Sequence, residues 1–357
     1  MKNSYYEYFD LLTAGGASPE SSILIIYTGG TIGMDTNADG ALVPLDFERI
    51  LEKLPELRRF RYRLRLIAPF LPLDSSNVGI AEWLILSEVI ASHYHEFDAF
   101  VVLHGTDTMA YTASALSFLL DGLQKPVIFT GSQIPIGFTR TDARENFISA
   151  LEIAASQTNG QATVPEVCIC FSSVLLRANR SSKVATSNFT AFASENYPPL
   201  ARIGIQLDFN YSHILKRHQT IFKAHKNLDN RVTIMKFYPS MMPDLVKARL
   251  QNQTLRGVVL ESYGSGNLPT SPWLQDAISE AAARGVVFLN ISQCMGGAVA
   301  QGKYEASTML NELGVVSGHD MTTEAAITKL MFVLGQTTDS KEAKQLLRTS
   351  LCGELSL

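Results

Sequence analysis

The sequence has few cysteines and no long apolar run, and both shortages exclude classes of protein. Only 4 of its 357 residues are cysteine, and their positions form neither a disulfide framework nor a C-x-x-C redox motif. No run of about 18 apolar residues is present, so we predict no membrane-spanning helix and no membrane partner. Residues 1–8 lack the apolar segment of a secretory signal, and we expect a reducing, cytoplasmic location.

Positive charge is not in excess either. The 30 Lys and Arg residues are outnumbered by 34 Asp and Glu residues, for a formal net charge of −4, which argues against a nucleic-acid partner. The 7 histidines show neither an H-E-x-x-H pattern nor another clustered ligand spacing, so we predict no metal site. The one strongly basic stretch, residues 58–65, alternates in the manner of a strand, and we expect that strand to have one cationic, solvated face.

What the chain does contain is enough apolar sequence for a large core. Hydrophobic residues make up 46% of it and charged residues 18%, and its length suits two domains. Strand-like runs alternate with helical segments, which predicts an α/β fold. We place a larger N-terminal doubly wound, mainly parallel sheet domain at 22–210, a linker at 211–230, and a smaller C-terminal Rossmann- or flavodoxin-like α/β domain at 231–357.

The individual elements follow from the same patterns. Residues 1–21 are expected to be loosely held and partly helical. After the first strand, which begins at Ser22, we predict strands at 61–69, 98–103, 126–130, 167–171, 231–238, 256–263, 286–291 and 315–316. We predict helices at 46–54, 79–96, 108–122, 139–156, 243–252, 272–284, 305–313, 322–334 and 340–350.

The first strand ends in the glycine-rich turn Thr28–Gly33, and this turn has two interpretations. Its glycine spacing fits neither G-x-G-x-x-G nor a phosphate loop, yet the turn alone does not decide between a nucleotide site and hydroxyl chemistry. Thr31 stands at the carboxyl end of the strand, where open α/β sheets bind ligands. Its hydroxyl is a nucleophile if a base can reach it. The following loop, residues 35–41, is rich in turn formers and is expected to be mobile.

Short polar side chains also follow the next strands. They are Asp74, Ser75 and Ser76, the turn His104–Thr108, and Ser132 with Gln133. Because parallel strands present their carboxyl ends at one edge, these turns can share a pocket. The Asp74 loop could equally serve as an N-cap for the next helix.

Lys183, in a basic stretch without helical periodicity, is the base that this group of residues needs. A lysine acts as a general base only if burial or nearby charge lowers its pKa. Thr31, Thr106 and Lys183 together suit acyl transfer from an amide or ester. Backbone N–H groups at the turns of Gly30 and Gly105 could stabilise the oxyanion, and Asp107 could hold a substrate ammonium group.

At this point the sequence resembles a known family, the bacterial-type L-asparaginases. The segments Thr28–Gly33 and His104–Met109 match its two signature motifs. The segments Thr130–Pro135 and Asn179–Lys183 are similar to the cytoplasmic, type I branch, and Gln293–Gly297 and His319–Ala325 extend the resemblance into the second domain.

The resemblance implies an activity and a set of roles. The reaction is hydrolysis of L-asparagine to L-aspartate and ammonia, without a cofactor, through an acyl-enzyme on Thr31. Thr106 and Lys183 support proton transfer, and Asp107 binds the substrate amino group. The further substrate-binding residues are Gly30, Asp74, Ser75, Ser76, Ser132 and Gln133. Family members are homodimers or homotetramers, in which the second domain of one subunit helps complete its neighbour's site.

Two departures from the family pattern raise further hypotheses. Many members carry a tyrosine in the mobile loop, and this chain has none there. We suggest that Tyr304 replaces it, although a packed surface tyrosine is an equally good interpretation. Some type I enzymes bind a regulatory asparagine through an arginine where this chain has Glu261. A carboxylate does not pair with a carboxylate as arginine does, so we predict weak or absent cooperativity.

Three other functions stay open. A mixed asparaginase–glutaminase differs by one methylene of substrate, worth only about 1–3 kcal/mol. A non-catalytic asparagine sensor would keep the pocket but would not need the nucleophile. The asparaginase-like subunit of an archaeal tRNA-dependent amidotransferase carries an extra N-terminal domain, for which the residues before Ser22 are too few.

Overall fold

The structure is a computed structural model that describes residues 7–12, 18–36, 42–44, 54–216, 220–302 and 305–357. The chain divides into two compact units. The first holds the described residues up to Ser194 with Pro198–His225, and the second holds Glu195–Tyr197 with the described residues from Lys226 onward. The junction at residue 225 falls inside the stretch predicted as a linker, and the predicted domain bounds stay predictions.

The first unit is built on one large sheet. In the described residues its strands are β1 (Glu7–Leu12), β2 (Ser21–Tyr27), β3 (Tyr62–Ala68), β4 (Ala99–Leu103), β5 (Val127–Thr130), β6 (Val167–Phe171), β7 (Val174–Arg177), β8 (Ala201–Ile203) and β9 (Leu207–Phe209). Their order is β1-β3-β2-β4-β5-β6-β7-β8-β9. The central run β3-β2-β4-β5-β6 is parallel. The prediction of a mainly parallel sheet is therefore confirmed.

The centre of this sheet is buried on both faces, as the continuous apolar runs of its strands predict. Every residue of β4 is buried, and its Val101 is opposite Ile25 of β2 and Ile128 of β5. The helices are α1 (Ile80–Ser92), α2 (Met109–Leu119) and α3 (Ala143–Ala155), each inside its predicted range. The indole of Trp83 on α1 donates to the hydroxyl of Thr112 on α2 at 3.0 Å.

One expectation about this unit is wrong. Part of the N-terminal lead-in is a strand, β1, which pairs antiparallel with β3 at the edge of the sheet; its aromatic residues favour a strand. The arginine-rich strand β3 has the predicted cationic face, and this face is only partly solvated, with the Arg63 and Arg65 side chains 32% and 20% exposed. Arg63 and Arg65 both donate to Glu96 at 2.7 Å, and both guanidinium groups lie over the ring of Phe97. The predicted helix 46–54 lies outside the described residues except for its last residue.

Short elements complete the first unit. The described two-stranded pairs are Met34–Thr36 with Leu42–Pro44, Leu120–Asp121 with Lys223–Ala224, Gln157–Thr158 with Gln161–Ala162, and Ser182–Lys183 with Phe192–Ala193. The described 3₁₀ turns are Thr31–Gly33, Pro55–Arg59, Ser75–Asn77 and Ala178–Arg180. Several of these carry or adjoin the predicted site residues.

The second unit has a smaller parallel sheet, as predicted. Its described strands β10 (Val232–Lys236), β11 (Gly257–Ser262), β12 (Val287–Ser292) and β13 (Val316–Ser317) lie side by side in chain order. Its helices are α4 (Pro243–Leu250), α5 (Pro272–Ala283), α6 (Glu305–Glu312), α7 (Thr323–Gln336) and α8 (Ser340–Arg348). One core cluster joins the strands to α4 and α5.

A buried ion pair fixes the C-terminal residues of this unit. The ammonium group of Lys329 on α7 lies 2.6 Å from the carboxylate of Glu354, and both side chains are fully buried. Lys329 also donates to the carbonyl oxygens of Leu347 and Thr349 at 2.9 and 2.6 Å. Burial lowers the pKa of Lys329, while Glu354 opposes that shift.

Candidate active site

Glycines bring two of the predicted turns into direct contact. Gly29 and Gly30 have φ angles of 117° and 86°, which other residues rarely adopt. A Cβ at Gly29 would overlap the backbone of Leu73, and one at Gly30 would lie 2.5 Å from the Cα of Gly105. Only glycine permits this approach. The turn that precedes Thr31 therefore touches the turn that precedes Thr106.

The predicted nucleophile begins a short turn whose backbone is bonded to the side chain of Tyr27. Thr31 is the first residue of the 3₁₀ turn Thr31–Gly33 and is partly exposed. The hydroxyl of Tyr27, at the end of β2, donates to the carbonyl of Gly33 at 3.1 Å. The ring of Tyr27 fills the space where a side chain at position 33 would be. Burial raises the pKa of Tyr27 to about 12, so it stays a hydrogen-bond donor at neutral pH.

The loop of Asp74, Ser75 and Ser76 forms the third turn of this group. Its buried Ser75 would overlap a Cβ at Gly105, and its carbonyl accepts from the hydroxyl of Thr108 at 2.6 Å. Asp74 accepts from the backbone N–H and the hydroxyl of Ser76 at 2.8 and 2.6 Å, and these bonds lower its pKa.

That arrangement corrects the alternative interpretation of Asp74 as the cap of the next helix. Asp74 caps the 3₁₀ turn Ser75–Asn77. Helix α1 instead has Gly79 at its N-cap, with the N–H of that residue bonded to Glu82 at 2.8 Å.

Lys183 connects the residues of the second signature motif. Its ammonium group donates to the hydroxyl of Thr106 at 2.8 Å and to the carboxylate of Asp107 at 2.6 Å. The Lys183 side chain is only 15% exposed, whereas that of Asp107 is 65% exposed. Because Lys183 occupies the oxygen of Thr106 as a donor, the hydroxyl proton points elsewhere, to the amide oxygen of Gln133 at 3.3 Å.

The turn after β5 supplies Ser132 and Gln133. Ser132 is 2% exposed, and its hydroxyl has no hydrogen-bond partner in the described part of the chain. A buried hydroxyl without a partner is costly and is suited to a ligand. The structure thus brings Thr106, Asp107, Lys183 and Gln133 into one hydrogen-bonded group, while Tyr304 lies outside the described residues.

His104 and Tyr27 are residues for which the sequence suggested no role. His104 is fully buried at the end of β4, and its Nδ1 lies 2.7 Å from the carbonyl oxygen of Gly105. Burial lowers the pKa of His104 to about 4, so the ring is neutral at pH 7 and must carry its proton on Nδ1. It holds the carbonyl that immediately precedes Thr106. The position of His104 inside a signature motif was the only signal in the sequence.

Glu261 lies at the carboxyl end of β11, in the second unit. It is buried and accepts from the hydroxyl of Thr323 at 2.7 Å, with the ammonium group of Lys236 at 3.6 Å.

Among the described residues no helix is both long and apolar enough to cross a bilayer. Within the same residues, no three His, Cys, Asp or Glu side chains lie together as metal ligands would.

Comparisons with known proteins decide the family. The asparaginase N-terminal family model matches residues 22–215, and the glutaminase/asparaginase C-terminal domain model matches residues 231–347. The chain belongs to the asparaginase family. The resemblance seen in the signature motifs is therefore confirmed.

The relatives include a bacterial enzyme and a longer mammalian protein. The chain is 39% identical to L-asparaginase 1 of Escherichia coli (strain K12), over 94% of this chain and 98% of the relative. It is 40% identical to the 60 kDa lysophospholipase of Mus musculus, over 96% of this chain but only 64% of that protein. The crystal structure of L-asparaginase I from Vibrio cholerae superposes with a TM-score of 0.84 at 36% identity, covering 94% of this chain and 99% of the other. The α/β fold is thus that of type I asparaginases.

Proposed function

We propose that this protein hydrolyses L-asparagine to L-aspartate and ammonia in the cytoplasm. The observation that carries the proposal is the contact of Lys183 with both Thr106 and Asp107, at 2.8 and 2.6 Å. Thr106 and Asp107 follow the turn of Gly105, which touches the turn of Gly30 that precedes Thr31. The membership of the asparaginase family supports the same substrate.

In the proposed reaction, Thr31 attacks the side-chain amide of asparagine. Its oxygen forms a bond to the amide carbon, and its proton passes through Thr106 and Lys183 to the leaving nitrogen, which departs as ammonia. Water then cleaves the acyl-threonine, releasing aspartate and restoring the Thr31 hydroxyl.

The proposed substrate contacts follow from charge and exposure. Asp107 is bonded to Lys183 yet mostly exposed, so its carboxylate is available to a substrate ammonium group. The unpartnered hydroxyl of Ser132, among the described residues, is a donor for a substrate oxygen. Backbone N–H groups at the Gly30 and Gly105 turns are the proposed oxyanion donors. The remaining proposed contacts are those of Asp74, Ser75, Ser76, Gly30 and Gln133.

The decisive experiment measures ammonia release from L-asparagine and L-glutamine by the wild type and Thr31→Ala. We expect saturable turnover of asparagine and a loss of roughly a thousandfold or more in the variant, because the acyl intermediate forms on the Thr31 hydroxyl. The exposed Thr270, in the second unit, provides the matched control Thr270→Ala, which should keep full activity.

Other outcomes identify the alternatives. Rapid turnover of glutamine would make the protein a mixed asparaginase–glutaminase. Binding of asparagine without turnover by the wild type would make it a sensor. Equal activity of Thr31→Ala and wild type would contradict the acyl-threonine mechanism.

We also propose a homodimer or homotetramer in which the second unit of one subunit helps complete the site of its neighbour. Light scattering during size exclusion should give a mass of two or four chains, and a monomer with full activity would contradict this. Tyr304 is the proposed replacement for the loop tyrosine. If Tyr304→Phe keeps the wild-type kcat and KM, that hypothesis is wrong.

A further inference from the structure

A buried carboxylate behind the proposed site binds the main chain of the turn that carries Ser132. Asp142 accepts from the N–H of Gln133 at 3.0 and 3.1 Å and from the N–H of Ile134 at 3.1 Å. Its side chain is largely excluded from water, with the residue 9% exposed. These are charge-assisted bonds to an anion, which are stronger than neutral ones.

Asp142 occupies a position at which an aspartate side chain ordinarily caps the N-terminus of its own helix. It is the N-cap residue of α3, yet its side chain makes no capping bond. The N–H of Ala143 instead donates to the hydroxyl of Thr141 at 3.0 Å. An Asp at an N-cap ordinarily accepts from the backbone N–H two or three residues later in its own helix. Here that interaction has been replaced by bonds to another turn.

Asn146, one helical turn later, holds the same turn from its other side. Its amide donates to Asp142 at 3.1 Å and to the carbonyl of Gly131 at 3.0 Å. Gly131 precedes Ser132, and Gln133 follows it. The Asp142–Asn146 pair therefore fixes the peptide groups on both sides of Ser132, whose own hydroxyl is buried without a partner among the described residues.

The same pair is connected to the loop that follows Lys183. The amide oxygen of Asn146 accepts from the N–H of Ser172 at 3.0 Å, and the hydroxyl of Ser172 donates to the carbonyl of Phe189. On the other side, the side chain of Gln133 donates to the carbonyl of Asn188 at 3.1 Å. The loop after Lys183 is thus tied at two adjacent residues to groups that Asp142 and Asn146 hold.

We infer that Asp142 and Asn146 are positioning residues for the reaction, which set the geometry of Ser132 and Gln133 and of the loop after Lys183. This inference rests on the proposed asparagine hydrolysis. An amide at position 142 has one acceptor oxygen, and its NH₂ group would face an N–H donor of Gln133 or Asn146. Donor facing donor disrupts the turn.

The test is a comparison of three variants: Asp142→Asn, Asn146→Asp and the double variant that exchanges the two side chains. We expect each single substitution to lower kcat/KM for asparagine roughly ten- to a hundredfold. In the double variant, the new amide at position 142 can accept from the Gln133 turn and donate to the new carboxylate at position 146. That carboxylate can still accept from the N–H of Ser172. The carbonyl of Gly131 loses its donor and faces a carboxylate oxygen, so activity should recover in part, to several-fold above that of either single variant.

Structural damage and loss of function are separated by two further measurements. Thermal unfolding of each variant is compared with Asp208→Asn, the matched control at an exposed position of β9. Ser132→Ala is combined with Asp142→Asn, and the cost of Asp142→Asn should shrink in that background, because residues that act through one another are not additive.

Each outcome decides the inference. It is overturned if the single variants keep wild-type kcat/KM, if the exchanged pair recovers no activity, or if the loss only tracks the unfolded fraction. A wild type that does not hydrolyse asparagine would instead refute the proposed function. Wild-type turnover with an unaffected Asp142→Asn variant would refute only the positioning role.

Discussion

Lowering the pH should destabilise the protein through His104, and the size of the effect follows from its burial. The ring is fully buried, lies against Phe129 at a centroid distance of 5.9 Å, and bonds to the neutral carbonyl of Gly105. Burial lowers its pKa to about 4 from the ordinary value of 6.5, and the bond to Gly105 opposes that shift only in part. The unfolded chain protonates this histidine first.

The loss of stability follows in sign and magnitude from these two pKa values. A group whose pKa is lower in the folded state contributes stability that, for a histidine, is fully present above the unfolded pKa and is lost as the pH falls toward the folded pKa. Between pH 7.5 and pH 5.5 the loss is about 1 kcal/mol, and complete titration costs roughly 3 kcal/mol. The window of this effect is therefore pH 6.5 down to about 4.

The assay is urea unfolding of wild type and His104→Asn at both pH values. Asparagine can place its NH₂ group near the position of Nδ1 and keep a donor for Gly105, but it does not titrate. The wild type should lose about 1 kcal/mol more than the variant between the two pH values. The exposed His95 gives the matched control, His95→Asn. If wild type and His104→Asn lose the same free energy of unfolding, burial of a neutral His104 is not the cause.

Three further predictions follow from other contacts. Lys329→Met leaves the carboxylate of Glu354 buried without its cation and should lower the free energy of unfolding by about 3–5 kcal/mol; a change near zero in urea unfolding would contradict the buried pair. Tyr27→Phe removes the donor to the carbonyl of Gly33 and should lower the free energy of unfolding by about 1–3 kcal/mol. It should also lower kcat, with a smaller change in KM. An unchanged kcat in a stably folded variant would show that the turn of Thr31 does not need this support. Glu261 stands where the family resemblance implies an arginine in some members, so initial rates should depend hyperbolically on asparagine, and a sigmoidal curve abolished by Glu261→Gln would refute this.

The sheets could be predicted because burial on both faces leaves a direct record in the sequence. Strands such as β4 and β11 are largely continuous apolar runs, and a parallel strand needs such a run. The edge strand β1 was missed because its six residues, EYFDLL, do not alternate regularly between polar and apolar. The contacts of Arg63 and Arg65 with Glu96 and Phe97 were not predictable, because those two residues follow a helix that is distant in the sequence.

The proposed catalytic group was predictable for a different reason. Thr106 and Asp107 follow a strand end, where the fold itself gathers ligand-binding groups. The position of Lys183 was harder, since it lies 76 residues from Asp107 and reaches it from a short hairpin. Its choice depended on chemical need and on the family resemblance, because no local pattern indicates which lysine returns to the sheet edge.

The supports behind the site were not predictable, and they have one feature in common. Tyr27 binds the carbonyl of Gly33, His104 binds that of Gly105, and Asp142 binds the N–H of Gln133. Each of these main-chain groups lies within two residues of a proposed functional side chain. A search for reactive side chains overlooks such residues, because their partner is a peptide group that every sequence contains.

This arrangement separates two kinds of mutational effect. When the backbone of each turn is fixed, a functional side chain such as Thr31 needs only to select a rotamer, so replacing it should abolish the reaction and leave folding nearly intact. Replacing a support such as Tyr27 or Asp142 leaves a buried peptide group unsatisfied and allows the turn to move. Stability and rate should then fall together. Parallel measurement of both quantities therefore distinguishes the residues that perform the chemistry from those that hold it in place.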